Sequence, residues 1–151
     1  MMPDSIYKVR IEDSRRIVTP VRLLNIANGR EEVVKGLWDT GVEVSVVSRA
    51  LSVRLELPGN RSLSVCGFGG REQVRAVMAM TFPGDVEFAV VVQAIETEGI
   101  ADGIDFILGM DIIGKGKFSL CWESGAFMLS FQFGELFTRL KSEWITTFRQ
   151  K

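Results

Sequence analysis

The residues of this chain whose types and spacing can do chemistry begin with a carboxylate in the triplet Asp39-Thr40-Gly41. The triplet follows the apolar pair Leu37-Trp38 and precedes the mostly apolar stretch from Val44 to Val47. This order predicts a buried strand that ends in a tight turn with an acid at its tip. A single buried carboxylate is costly, so an acid in this position needs a partner or a chemical role. Because the sequence holds one copy of the triplet, two-carboxylate chemistry would take its second acid from another chain.

Histidine is absent from the sequence, and its absence removes many chemistries. No Ser-His-Asp or Cys-His arrangement is possible. Histidine zinc sites are excluded as well, and two cysteines cannot build a thiolate site alone. We therefore expect no metal and no cofactor. What remains for acid–base work at moderate pH is carboxylate chemistry, or a perturbed Lys or Tyr.

The composition limits the fold class and the partners. The 151 residues suffice for one domain with a sizeable core, and 46% hydrophobic with 25% charged residues is ordinary for a soluble globular protein. A net charge of −1 gives no electrostatic reason to expect nucleic acid or an anionic membrane as a partner. No apolar run approaches the roughly 20 residues of a membrane span. The polar segment from Met1 to Arg16 lacks the apolar core of a signal peptide. We expect a cytoplasmic protein in which Cys66 and Cys121 are free thiols, buried as apolar fillers.

The hydrophobic pattern predicts a mostly β fold. Asn28-Gly29, between two strand-like runs, predicts a hairpin. Ser48 is predicted to cap a short helix that runs to about Leu55. The predicted strands cover residues 17–26, 32–38, 44–47, 62–65, 73–82, 86–92, 106–108, 118–122 and 127–133.

The C-terminal segment has a helical pattern. Leu136, Leu140, Trp144 and Phe148 recur every four residues, which predicts an amphipathic helix. Its charges mix both signs without a basic face, so we favour packing on the core or on a second subunit over a membrane anchor.

Three separated motifs together resemble the retropepsin-like aspartic proteases. They are Leu-Trp-Asp-Thr-Gly at residues 37–41, Cys-Gly-Phe-Gly-Gly at 66–70 and Phe-Ile-Leu-Gly-Met-Asp at 106–111. The resemblance covers about Ile17 to Phe133 and implies an all-β, single-domain acid protease barrel with short helices. It leaves residues 1–16 as an N-terminal extension, 17–133 as the protease domain and 134–151 as a C-terminal helical tail.

The resemblance also implies roles for the triplet and its neighbours. Asp39 would be the catalytic acid, and Thr40 would hydrogen-bond across a dimer and hold two catalytic loops together. Gly41, Val42 and Glu43 would complete the substrate-binding loop. Two of these depart from the family: Val42 stands where Ala or Ser is usual, and Glu43 stands where Asp is frequent.

The two later motifs would supply a flap and a support. Gly67, Phe68, Gly69 and Gly70 would form a flap that closes over the substrate, with Phe68 as its apolar tip. The glycines are not a phosphate loop, because no Gly-Lys-Ser/Thr follows them. Asp111 is interpreted most simply as the N-cap of a short helix.

The function implied by the resemblance is that of an aspartic endopeptidase, a hydrolase active as a C2 homodimer. Paired Asp39 carboxylates would activate a water that attacks a peptide or protein substrate. Family members join their subunits through terminal strands, which would place the interface at Phe118 to Trp122 and Phe127 to Phe133. Two alternatives stay open. One is a catalytically idle dimeric peptide-binding or scaffolding module, for which Val42 and the lack of an Arg near Met110 leave room. The other is one piece of a larger assembly.

Overall fold

A computed structural model of the chain describes residues 6–13, 15–59, 61–67, 70–83, 88–100, 103–133 and 139–140. These residues form short helices and many strands. In chain order the elements are β1 (Ile6–Ile11), β2 (Val18–Leu24), β3 (Glu31–Trp38), β4 (Val46–Ser48), α1 (Arg49–Leu55), β5 (Arg61–Gly67), β6 (Gly70–Pro83), β7 (Phe88–Thr97), β8 (Phe106–Leu108), α2 (Met110–Ile113), β9 (Gly116–Glu123), β10 (Ala126–Phe133) and β11 (Arg139–Leu140).

The strands form two sheets. The small sheet has three strands in the order β1-β10-β9. The large sheet has the order β11-β7-β4-β8-β3-β2-β6-β5, and β6 pairs with β7 as well. The all-β fold class predicted from the sequence is confirmed.

The first hairpin and the first helix form where the sequence predicts them. Strands β2 and β3 pair antiparallel around a turn in which Gly29 has a φ of 75°. Helix α1 follows Ser48, whose side chain accepts a hydrogen bond from the Leu51 N–H. The buried Asn25 amide donates to the carbonyls of Leu55 and Glu56, at the end of α1. The turn between β2 and β3 therefore fixes the helix end, because it satisfies carbonyls that have no partner within the helix.

One apolar core joins the two sheets, and Trp38 lies at the junction. Its ring packs against Phe118 and Phe131 of the small sheet, with centroid distances of 5.9 and 5.3 Å. Its indole N–H donates to the Thr19 hydroxyl at 2.9 Å, so the one polar atom of this buried side chain is satisfied. The small sheet thus packs directly against the last residue before Asp39.

The chain termini differ from the sequence-based expectation. Strand β1 is not predicted from the sequence, although it lies in the segment set apart as an N-terminal extension; it pairs antiparallel with β10. At the other end, Arg139 and Leu140 form β11 against Phe88 and Ala89. The predicted helix is therefore wrong at these two residues. Their backbones pair with the edge of the large sheet, and this pairing overrides the helical spacing of the apolar residues around them. Residues 134–138 and 141–151 of the predicted helix lie outside the described residues.

The cysteine prediction is wrong in part. Cys121 is a free thiol, as expected, but it is exposed on β9 rather than buried. The side chain of Cys66 lies outside the described residues. Among the helices that are described, none has the length and apolar character needed to cross a bilayer.

Candidate active site

Asp39 lies at the tip of β3, where the sequence predicts an acid in a turn. Strand β3 pairs in parallel with β8, with Trp38 opposite Leu108. The Asp39 N–H donates to the Leu108 carbonyl at 3.0 Å. The Gly41 N–H donates to the Asp39 Oδ1 at 2.8 Å. The half-buried carboxylate is therefore held by the backbone of its own turn, and the Asp39 backbone is held by the neighbouring strand.

Strand β8 pairs in parallel with β3 on one side and antiparallel with β4 on the other. The loop after Asp39 joins β3 to β4 and therefore crosses the end of β8. Two N–H groups at the start of α2 donate to this loop: Met110 to the Val42 carbonyl at 2.7 Å, and Asp111 to the Glu43 carbonyl at 3.1 Å. The motifs at residues 37–41 and 106–111, far apart in sequence, thus meet in one hydrogen-bonded unit.

Gly109 permits this close approach. A Cβ added there would lie 2.7 Å from the Val42 carbonyl oxygen and 3.1 Å from the Val44 carbonyl carbon. The first distance is shorter than real Cβ contacts, so a side chain would push the two segments apart. Its φ of −92° and ψ of −170° suit any residue. Position 109 therefore requires a glycine because there is no room for a side chain, and not because of its backbone conformation.

Asp111 has a role that the sequence analysis missed. Its two carboxylate oxygens accept hydrogen bonds from Ser45, one from the N–H at 3.0 Å and one from the hydroxyl at 2.6 Å. The fully buried Ser45 hydroxyl oxygen also accepts from the Gly109 N–H at 3.0 Å. The N-cap interpretation of Asp111 is wrong, because Gly109 is the N-cap of α2 and Asp111 is the second residue of that helix. No signal in a single sequence pairs these two residues, since 66 positions separate them.

The other predicted residues of the loop lie towards solvent. Thr40, Gly41 and Glu43 are exposed, and Val42 is half-buried. Gly41 is not among the described glycines with positive φ; a Cβ there would instead lie 3.2 Å from the Asp39 Oδ1. The structure places all five residues of the predicted site, Asp39 to Glu43, on one loop. Their roles towards a substrate and a second subunit stay predictions.

The predicted flap is a hairpin. Strands β5 and β6 pair antiparallel, and Gly67 at the end of β5 lies opposite Gly70 at the start of β6. Phe68 and Gly69, between them, lie outside the described residues. The side chains of residues 63–67 and 70–73 lie outside as well, so closure over Asp39 stays a prediction.

Solved structures share this fold. No family model matches the sequence, and no curated protein matches it either. The chain is similar to a retropepsin-like aspartic protease from Rickettsia conorii, with a TM-score of 0.55 and 14% identity, over 85% of this chain and 93% of that one. It is also similar to EIAV protease in complex with the inhibitor HBY-793, with a TM-score of 0.52 and 21% identity, over 70% and 92%. At sequence identities this low, the similarity shows the fold alone. The chain has the retropepsin-like fold that its three motifs predict.

Proposed function

We propose that the chain is an aspartic endopeptidase whose active form is a homodimer. The observation that carries the proposal is the position of Asp39 within a retropepsin-like fold. It follows β3 directly, in a turn fixed by the Leu108 carbonyl and the Gly41 N–H. This turn occurs once in the sequence, so a second carboxylate comes from a second copy.

Peptide hydrolysis needs an activated water and a proton for the carbonyl oxygen or the leaving nitrogen. Two carboxylates about 3 Å apart cannot easily both ionise, so they share one proton. One carboxylate then accepts a proton from the attacking water while the other donates a proton to the substrate carbonyl. In a symmetric pair of Asp39 side chains the shared proton belongs to the pair and to neither residue. This chemistry requires no metal and no covalent intermediate.

The substrate is a peptide or protein segment in extended conformation. Such a segment adds a strand by main-chain hydrogen bonds, and side-chain pockets then select its sequence. Glu43, which is exposed, would bind the substrate backbone, and Val42, larger than the usual Ala or Ser, would narrow one pocket. The β5–β6 hairpin would cover the substrate and exclude water.

The test is the substitution Asp39→Asn. It keeps an oxygen for the Gly41 N–H, so the turn and the fold should persist while cleavage is lost. Wild type and variant are incubated with a peptide library, and products are identified by mass spectrometry. The matched control is Glu98→Gln, an exposed acid that pairs with Arg49 on the surface, where such pairs contribute little.

The expected result is cleavage by the wild type and by Glu98→Gln, and none by Asp39→Asn. Cleavage by Asp39→Asn at the wild-type rate would refute the assignment. A wild type that binds peptides without cleaving them would support the idle binding module.

A further inference from the structure

The hairpin of β5 and β6 is joined to the rest of the large sheet along only part of its length. Residues 61–67 of β5 pair with residues 70–76 of β6. Strand β6 pairs with β7 over residues 76–81 and with β2 over residues 80–83. The part of β6 that ends at Arg75 therefore pairs with β5 alone among the described strands. Arg75 marks the point at which this part of the hairpin meets the sheet.

The Arg75 guanidinium joins this point to two other segments of the chain. Its Nη1 donates to the Glu96 carboxylate of β7 at 3.0 Å. The other two nitrogens donate to main-chain carbonyls between α1 and β5, Nη2 to Leu57 and Nε to Gly59, both at 3.2 Å. All three guanidinium nitrogens are thus engaged. Because arginine is a planar fork of fixed donors, the three bonds together fix the position of both segments against β6.

The segment between α1 and β5 lies directly on β6. The Met78 N–H donates to the Pro58 carbonyl at 2.8 Å. A Cβ at Gly59 would lie 2.1 Å from the Ala76 carbonyl oxygen, so backbone meets backbone here without room for a side chain. Strand β5 starts shortly after this contact. The entry into β5 is therefore held on β6 by the same segment that Arg75 binds.

We propose that Arg75 is a positioning residue that fixes the base of the β5–β6 hairpin. The exit of the hairpin is held by the pairing of β6 with β7, and its entry is held by the contacts of Arg75 with Leu57 and Gly59. Both strands therefore leave the sheet from fixed points, and bending is confined to the part of the hairpin beyond Arg75. That this bending closes the hairpin over a substrate beside Asp39 rests on the proposed function.

A fixed base favours the binding of a substrate more than the chemical step. A hairpin that is held at its base has fewer orientations when no peptide is bound, so it loses less conformational entropy when it closes. Arg75 acts through the hairpin and not on the reacting atoms. Its loss should therefore weaken the retention of a peptide and leave the turn that carries Asp39 unchanged.

Hydrogen exchange of one amide tests the anchor directly. The Met78 N–H is bonded to the Pro58 carbonyl, so it exchanges when the segment between α1 and β5 separates from β6. Arg75→Gln removes the charge and the forked donors, and should speed this exchange about tenfold. The Trp38 N–H, which donates to the Ile17 carbonyl, is the internal reference and should keep its rate. Rates are measured by NMR, and an unchanged rate at Met78 would overturn the proposal.

Arg49→Gln is the matched control. Arg49 pairs with Glu98, two positions from Glu96, and both side chains of this pair are exposed. The control changes the charge of the chain by the same amount but removes no contact of Arg75. It should leave the exchange of the Met78 amide unchanged. An equal acceleration in Arg49→Gln would mean that the net charge, and not the contacts of Arg75, controls the base of the hairpin.

Exchanging the two charges separates the ion pair from the carbonyl contacts. The double variant Arg75→Glu, Glu96→Arg restores opposite charges but places no donor on β6 for the Leu57 and Gly59 carbonyls. Its Met78 amide should therefore exchange as fast as in Arg75→Gln. Arg75→Lys keeps the charge and loses the fork, and should exchange at an intermediate rate. Parent-like exchange in the double variant would show that charge alone suffices, and would overturn the role of the carbonyl contacts.

Steady-state kinetics separates a positioning role from a general loss of structure. Arg75→Gln should raise KM about tenfold and change kcat less than about twofold, with Arg75→Lys between it and wild type. A fall in kcat at constant KM would overturn the proposal. A wild type that cleaves no peptide would refute the proposed function, and the exchange rates alone would then decide whether Arg75 anchors the hairpin. Cleavage with an unchanged rate at Met78 would refute the anchor and leave the proposed function standing.

Discussion

At the scale of residues, the candidate site contains two carboxylates with different surroundings. Asp111 uses both of its oxygens on Ser45. Asp39 uses Oδ1 on its own turn, and no donor among the described residues reaches its Oδ2. A carboxylate with both oxygens engaged holds a loop in place, whereas one with an oxygen open can accept a water or a proton. The two acids of the site thus differ in what they can do: Asp111 positions the loop and Asp39 is available for chemistry.

The substitution Asp111→Ala should destabilise the fold and slow catalysis. It removes both acceptors of Ser45, whose hydroxyl is fully buried, and an unsatisfied buried polar group costs about 1–3 kcal/mol. Urea unfolding measures the loss, and the turnover number should fall more than the Michaelis constant rises, because the loop orients Asp39. Asp111→Asn keeps one oxygen for Ser45 and should lose less of both. Equal unfolding free energies for Asp111→Ala and wild type would contradict the role assigned to this pair.

At the scale of elements, Gly109 allows the loop after Asp39 to cross over β8 and the start of α2. Gly109→Ala should cost about 1–3 kcal/mol, the usual range for forcing a methyl group into a packed site, because the added Cβ would meet the Val42 carbonyl oxygen. Gly99→Ala is the matched control, since a Cβ there meets no atom within 4 Å. Thermal unfolding of both variants gives the comparison. A Gly109→Ala variant as stable as Gly99→Ala would show that the two segments separate at no cost.

Much of the element order is predictable from the sequence, and the exceptions have physical causes. The β2–β3 hairpin is visible in Asn28-Gly29, and the start of α1 in Ser48. Strand β1 is not predicted, although Tyr7, Val9 and Ile11 alternate with Lys8 and Arg10, a period of two that is typical of a half-buried strand. The charged residues give the whole N-terminal segment a polar average, which conceals the alternation.

The position of Asp39 in a turn is predictable from the sequence, whereas the contacts that hold the surrounding loop are not. The acid in its turn follows from a local apolar pattern. The Ser45–Asp111 pair and the spatial need for Gly109 arise from contacts between segments more than 60 residues apart, which no local pattern encodes.

At the scale of the whole molecule, the proposed function predicts a particular dependence on pH. In the proposed mechanism the two Asp39 side chains of a dimer would share one proton, so activity should peak on the acid side and fall as the pair loses that proton. The ratio kcat/KM is measured between about pH 3 and pH 9, with circular dichroism at each pH as the control for unfolding. A rate that rises continuously towards the alkaline limit would indicate a different catalytic base.

The central claim is that two chains supply one catalytic pair, and subunit mixing tests it most directly. Wild-type and Asp39→Asn chains are unfolded together, refolded together and assayed on a peptide substrate at increasing fractions of the variant. Because subunits of a symmetric dimer pair at random, an equal mixture should retain about half of the activity per wild-type chain. Total activity should follow the square of the wild-type fraction. Activity per wild-type chain that stays constant in every mixture would mean that each chain acts alone, and would contradict the account.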